Sequence, residues 1–381
     1  MPSTRPDHQF VDGVCPACIN SQNKPSIDWD KRKEDLIQLL DRFDGECIVP
    51  SSGGKDSFYQ AIMLKNMGAH VTAVTARTCH LTAIGRKNID ALSRHVKTIE
   101  YVPNMTVRAK LNRLGLELVG DISHPEHMAI FTTPFKASID LKIPLVFYGE
   151  NPQQEYGGPV GSENAREMTA RWRSEFGGFL GLRPQDFVGK EGITERDMDD
   201  YTLPSAMDIL KNNTQAHFFG QYLPWDSHEN ARVAKESGMI QQLPCSANWW
   251  DFENQDNLDT YWHDLMMFHK YGYGRFATQI SVDIRNGLIS RESALEKLVC
   301  RDGQEQSRYM GHLVSEAASR IGLTEKEMYS IVDEYTNWDL FEIYIGTKEK
   351  GSYCLRDGKL IPKDLFADLN NIVDWDWDER K

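Results

Sequence analysis

Ile48-Val49-Pro50-Ser51-Ser52-Gly53-Gly54-Lys55-Asp56-Ser57 carries a short apolar run straight into a glycine turn and on into a helical pattern through Phe58, Ile62 and Leu64. Strand, turn and helix in that order bring successive backbone amides and the positive end of a helix dipole onto one anion site at Ser52 to Ser57. Glycines permit conformations and close approaches that a side chain would block, Lys55 can neutralise phosphate charge, and Asp56 can help hold magnesium. The Walker A pattern is absent, because Asp56 follows the Gly-Lys pair and the earlier glycine is missing.

Working outward, Asp28 is an N-cap candidate ahead of Trp29 to Phe43, where Leu36, Leu39, Leu40 and Phe43 recur at helical spacing. Downstream, Val71 to Thr75 reads as a second strand, Arg86 to His95 as a helix, Thr98 to Val102 as a third strand, and Val107 to Val119 and Met128 to Leu141 as helices. Pro144 to Tyr148 is a further apolar run, ending in Gly149-Glu150-Asn151. Strands alternating with helices predict an α/β fold with a parallel sheet covered on both faces and ligands beyond the strands' carboxyl ends. Both glycine-bearing motifs fall at that edge.

From Pro152 to Trp225 the pattern breaks into Gly- and Pro-punctuated, aromatic-rich sequence, and helices dominate from Glu229 onward, including Leu258 to His269, Arg291 to Val299, Gln306 to Ile321 and Glu325 to Tyr335. The chain therefore divides into an irregular segment 1–27 holding Cys15 and Cys18, an α/β domain 28–152 and a mixed, mainly helical region 153–381. The acidic tail after Asp374 is expected at the surface.

A net charge of -13, from 56 acids against 43 bases, argues against the electropositive footprint that nucleic-acid backbones require. Small polyanions stay open, because a nest of amides and a few cations suffices for them. No stretch has the apolar length of a membrane span, and Met1-Pro2-Ser3-Thr4-Arg5 does not read as a secretory signal, so a cytoplasmic protein is expected. Seven cysteines with one close pair do not form a disulfide framework, so reduced thiols are the expectation.

Ser52 to Ser57 resembles the SGGxDS signature of the PP-loop ATP pyrophosphatases, which cleave ATP to AMP and pyrophosphate while a substrate oxygen attacks the α-phosphorus. The whole chain is similar to the N-acetyl sugar amidotransferases of lipopolysaccharide O-antigen and pseudaminic-acid pathways. The stretches that carry this likeness include RPDHQFVDGVCPAC at 5–18, IDWDKR at 27–32, IGRKN at 84–88, YGENPQQEYGG at 148–158, NWWDFEN at 248–254 and YGYGRFATQISVDIRNGLISRESA at 271–294. The resemblance implies an adenine nucleotide alpha hydrolase-like domain that uses ATP and magnesium to turn the acetamido group of a nucleotide-linked sugar into an acetamidino group. It also implies ammonia from a separate glutaminase and barrel pair similar to the imidazole-glycerol-phosphate synthase subunits, since no cysteine here has a glutaminase setting. Two other readings stay open: a tRNA-thiolating PP-loop enzyme using Cys79 or Cys245, and a noncatalytic nucleotide-binding scaffold.

Within that frame Lys55, Asp56, Glu150 and Glu155 are the candidate catalytic residues, and Thr75 and Gly149 join Ser52 to Ser57 as candidate nucleotide contacts. Arg86, Asn88, Asn151, Arg275, Asp283 and Arg285 are candidate sugar contacts; two arginines could clamp a carboxylate or diphosphate bidentately. Capping and turn roles compete for Arg86, Asn88, Glu150 and Asn151, and a salt bridge competes for Asp283. Trp249 and Trp250 either stack on uracil or sugar or belong to the core. Cys15 and Cys18 make half of a tetrahedral zinc site, and relatives carry a second such pair just ahead of the segment equivalent to Met1-Pro2-Ser3. A redox role is disfavoured because the pair does not read as opening a helix in a thioredoxin-like pattern.

Overall fold

Five strands, β1 (Glu46–Pro50), β2 (His70–Ala76), β3 (Lys97–Tyr101), β4 (Leu145–Tyr148) and β5 (Gln215–Phe218), pair in parallel in the order β3-β2-β1-β4-β5. The computed structural model describes residues 1, 3–6, 8–159, 161–241, 248–341 and 360. Side chains of β1 and β4 alternate between two buried layers, as strands covered on both faces must. Cys47, Val49, Leu145 and Phe147 meet Leu36, Phe58 and Leu64 on one face, while Ile48 and Val146 meet Phe135 and Trp172 on the other.

The helices are α1 (Pro16–Asn23), α2 (Trp29–Asp41), α3 (Lys55–Asn66), α4 (Ala83–Leu92), α5 (Met105–Val119), α6 (His124–Leu141), α7 (Pro152–Tyr156), α8 (Ala170–Phe176), α9 (Ala206–Lys211) and α10 (Ser227–Glu236), followed by α11 (Thr260–Tyr271), α12 (Arg275–Arg285), α13 (Arg291–Arg301), α14 (Val314–Arg320) and α15 (Glu325–Tyr335). Local chemistry sets several of their ends. Asp28 accepts from the Lys31 amide to start α2, and α5 stops where Gly120 turns left-handed at φ +62° against the Tyr335 ring. Leu258, Trp262, Leu265, Ala318 and Met328 form a second core that joins the C-terminal helices to Leu116 and Ile122.

The strand order reverses between β1 and β4, so the loops after these two strands leave the same edge on either side of a crevice, where open α/β sheets bind ligands. The predicted strands 1 to 4 and both edge motifs are observed.

Three features differ from the sequence reading. The sheet takes its fifth strand from beyond residue 152, within sequence read as irregular; Gln215 and His217 interrupt the apolar pattern of this four-residue strand, and His217 is buried with its pKa pushed down to about 4 by desolvation. Segment 1–27 contains a helix, and Cys15 is its N-cap, so the CxxC pair does open a helix. Gln306 to Ile321 is not one helix, because residues Arg308–Tyr309 and His312–Leu313 pair as a hairpin before α14 starts. Cys245, Cys354 and the tail after Asp374 lie outside the described residues. No described helix is long and apolar enough to cross a membrane.

Candidate active site

The loop between β1 and α3 is wired by its own serines. Ser51 Oγ accepts from the Gly53 amide at 3.1 Å and donates to Ser57 Oγ at 2.9 Å, and Ser57 Oγ donates to the Gly54 carbonyl at 3.0 Å. Gly53 takes φ +81°, and a Cβ there would lie 2.9 Å from the Ile89 backbone nitrogen of α4. The turn thus needs glycine twice over, for its conformation and for its contact. Gly54 caps α3 without any side-chain hydrogen bond, so the amides of the first turn open onto the crevice.

Lys55 is the first residue of α3 and is 3% exposed. Its Nζ lies 2.6 Å from Asp56 Oδ2 and 2.5 Å from Glu253 Oε1, with the Trp250 and Phe252 rings about 6 Å away. Burial would lower its pKa, but Asp56, Glu253 and Glu150 outweigh that and hold the ammonium charged, above the usual lysine range. Burial, and then the neighbouring Asp56, push the Glu150 carboxyl up to about 7. Desolvation likewise raises Glu253, but the Lys55 ammonium overcomes it and keeps that carboxylate ionised. Asp56 Oδ1 accepts from Asn230 of α10 at 2.9 Å, which aims the carboxylate from behind.

Two cavities flank the loop. The smaller, about 230 Å³, is lined by Lys55, Glu253 and Arg275 among others; the larger, about 400 Å³, runs along Val74, Ala76, Ile130 and Pro134. Ser52, Gly54, Asp56, Glu150 and Asp256 line both. At one wall of the larger, Arg108 is buried between Glu126 at 3.0 Å and the Tyr201 hydroxyl at 2.7 Å. Four carboxylates, those of Asp56, Glu150, Glu253 and Asp256, meet Lys55 and an Arg275 already paired with Asp264 at 3.1 Å. A polyphosphate entering here would bring further negative charge, and Asp56 offers a hard oxygen of the kind that magnesium takes.

The structure brings Ser52, Gly53, Gly54, Lys55, Asp56, Ser57, Gly149, Glu150, Asn88 and Arg275 to these cavities. It uses other candidates elsewhere. Glu155 pairs with Lys24 at 2.7 Å, and its carbonyl accepts from Arg285 at 2.9 Å. Arg86 pairs with Glu100 at 2.7 Å and Asp90 at 2.8 Å. Asn88, though it lines the smaller cavity, spends its amide on both backbone groups of Ile240. Asn151 caps α7 through the Gln153 amide and donates to the Ser162 carbonyl. Among the described residues Asp283 pairs with no arginine; it accepts from His228 and from both indoles, Trp249 at 2.6 Å and Trp250 at 3.1 Å. Trp250 is buried in the core. Thr75 is buried in β2 and lines neither cavity.

The Cys15 and Cys18 sulfurs lie 3.3 Å apart, and their mutual hydrogen bond is the chief cause that pushes Cys15 down to about 4. Among the described residues no third His, Cys, Asp or Glu joins these two sulfurs within metal-ligand reach. Burial pushes the Cys79 thiol up to about 12, opposite to what a sulfur carrier needs.

Glu253, Asp256 and Arg108 were not singled out from sequence. The first two lie in or beside the Trp-rich stretch at 248–254, whose lack of periodicity hides which side chains turn inward.

No curated protein matches the chain. Residues 255–350, which include Asp256, Arg275 and Asp283, match the family model described as LPS biosynthesis protein WbpG-like, C-terminal domain, and this likeness supports an LPS-biosynthesis family for the protein.

Proposed function

We propose that the protein is an ATP-dependent amidotransferase of LPS biosynthesis, converting an acetamido group of a nucleotide-linked sugar into an acetamidino group with release of AMP and pyrophosphate. The observation that carries this reading is that the Ser52 to Ser57 loop stands between two cavities sharing Asp56 and Glu150. Adenosine in the larger and a sugar in the smaller would put the phosphates over the uncapped first turn of α3, where the cavities meet and Lys55 reaches in from the smaller side.

An amide carbonyl is a poor electrophile, and its oxygen is a poor leaving group. Attack of that oxygen on the α-phosphorus breaks the α–β phosphoanhydride bond, expels pyrophosphate and leaves an O-adenylated imidate. Ammonia then adds to the imidate carbon, the carbon–oxygen bond breaks, and AMP departs. Magnesium would screen phosphate charge. Lys55 and the α3 amides would hold the pyrophosphate oxygens as charge builds on them, the preorganised type of stabilisation that dominates such reactions. Glu150, with its carboxyl near neutrality, is poised to take the proton that ammonia sheds. Arg275 faces the sugar side and supplies a second cation there. Ammonia would come from a separate glutaminase and barrel pair.

The test is mass spectrometry of the protein incubated with ATP, magnesium, ammonium salt and a panel of UDP- and CMP-linked diacetamido sugars. Replacement of oxygen by NH with stoichiometric AMP supports the reading. ATP cleavage with every sugar unchanged overturns the acceptor assignment.

A further inference from the structure

We propose that Asp121, His127 and His263 form a binding site for a divalent transition-metal cation of the zinc class, apart from the cavities that flank the loop. Asp121 follows the left-handed end of α5, His127 lies in the first turn of α6, and His263 lies in the first turn of α11. Asp121 Oδ1 is 2.8 Å from His263 Nδ1, Asp121 Oδ2 is 3.1 Å from His127 Nδ1, and all three ligand atoms fall within 4.8 Å of one another. Among the described residues this is the one group of three or more His, Cys, Asp or Glu side chains so arranged. None of the three lines either cavity.

Three details favour a cation over a carboxylate that merely bridges two imidazoles. The His127 Nδ1 is buried and faces Asp121 Oδ2 at 3.1 Å in an alignment too poor for a full hydrogen bond, as two ligand atoms that share a cation would. The Asp121 carboxylate is fixed from outside by the Ser123 amide, which donates to Oδ1 at 2.8 Å, as the outer partners of metal ligands do. Gly178, at φ +73°, leaves the His127 ring uncrowded; a Cβ there would stand 3.2 Å from Nδ1.

The nearby Lys270 ammonium feels the Asp121 charge but gives a hydrogen bond to the Val119 carbonyl at 2.7 Å. Two imidazole nitrogens and one carboxylate oxygen are a borderline-soft set that suits zinc, cobalt or ferrous iron better than magnesium or calcium. Side-chain exposures of 28% for His127 and 21% for His263 against 7% for Asp121 leave one side open for water. Bound there, a cation would tie the α5–α6 turn, on the sheet side, to α11. The residue after His263 is Asp264, which holds Arg275 at the smaller cavity, so the tie would also steady one wall of that cavity.

The experiment uses the full chain carrying Cys15→Ser and Cys18→Ser, so that the close thiol pair contributes nothing. After chelator treatment it is titrated with Zn²⁺ by calorimetry and with Co²⁺ by visible absorption, and its melting temperature is followed. The expected result is one cation per chain, a cobalt spectrum without a thiolate band, and a higher melting temperature with zinc. His127→Gln and His263→Gln, checked for native circular dichroism, should each weaken binding by more than the roughly tenfold that losing an outer partner costs. A Ser281→Ala control, remote from the three ligands, should bind as the parent does. Failure of the parent to bind either metal, or binding that both glutamine variants retain, overturns the proposal.

Discussion

The Lys55 ammonium lies 2.5 Å from the Glu253 carboxylate, so the first residue of α3 is clamped by a residue from the segment just ahead of the C-terminal helices. The clamp explains how a lysine stays charged while 3% exposed, and it places that charge where phosphate would arrive. Lys55→Ala is expected to lower ATP cleavage by roughly 10²- to 10³-fold, the scale for losing one preorganised donor to developing charge. Pyrophosphate release measures it. Turnover that survives Lys55→Ala would move the reaction away from this loop. Glu253→Gln should keep the fold but cost about 1–3 kcal/mol in chemical denaturation, because the buried ammonium loses a charged partner and the new amide NH2 must face either Lys55 or the Gln279 donor.

Glu150 titrates where a base for ammonia must. If it takes that proton, the ammonia-dependent rate falls as pH drops through about 7, and Glu150→Gln flattens that limb of the profile while ATP binding persists. Stability moves the other way. The folded carboxyl titrates above its ordinary value, so between 4.5 and about 7 the native state holds a proton that the unfolded chain has lost. Native stability therefore declines as pH rises through that window. Glu150→Gln should accordingly gain more stability over the parent at about pH 8 than at about pH 5, as read by denaturant midpoints. An equal gain at both would mean the carboxyl is not held up in pKa.

The two loop glycines should behave differently. Gly53→Ala forces an L side chain to φ +81° and drives its Cβ to 2.9 Å from a backbone nitrogen of α4, which has no flexible end to give way. We expect a loss of about 1–3 kcal/mol and of ATP turnover together. Gly54 has φ -78°, and its added Cβ would meet Ser52 Oγ at an ordinary 3.4 Å. Gly54→Ala should therefore melt close to the parent, and any lost turnover would report crowding of the phosphate itself. Equal melting of the two variants would contradict this loop geometry.

That contrast shows why the loop was legible from sequence and much of its surroundings was not. Ser52 to Ser57 follows an apolar strand and opens a helix, and local chemistry alone fixes such a turn. Its charge partner Glu253 sits in aperiodic sequence and is brought in by the tertiary fold, so no spacing rule could have found it. Polar residues near the sheet edge carry structural duties beside any role in a site: Asn151 serves α7 as a cap, and Asn88 satisfies both backbone groups of Ile240. Buried backbone must find partners, and Asn side chains meet that demand as readily as they meet a ligand's. The strand β5 escaped because four residues containing Gln215 and a buried neutral His217 show no apolar alternation.

Asp283 separates a structural role from a sugar-binding one. Its carboxylate accepts from His228 on α10 and from the Trp249 and Trp250 indoles, which leaves it little capacity for a ligand. Asp283→Asn keeps the shape but replaces one acceptor oxygen with a donor that faces N–H groups, so at least one indole or imidazole loses its partner. The expected cost is about 1–3 kcal/mol in denaturation, with a red shift of tryptophan emission as the indoles are loosened. Because α10 also carries Asn230, which aims Asp56, turnover should fall by no more than the few-fold that slack in a supporting element produces. A variant of parental stability whose sugar KM rises sharply would instead place Asp283 against the substrate and return the clamp to this helix.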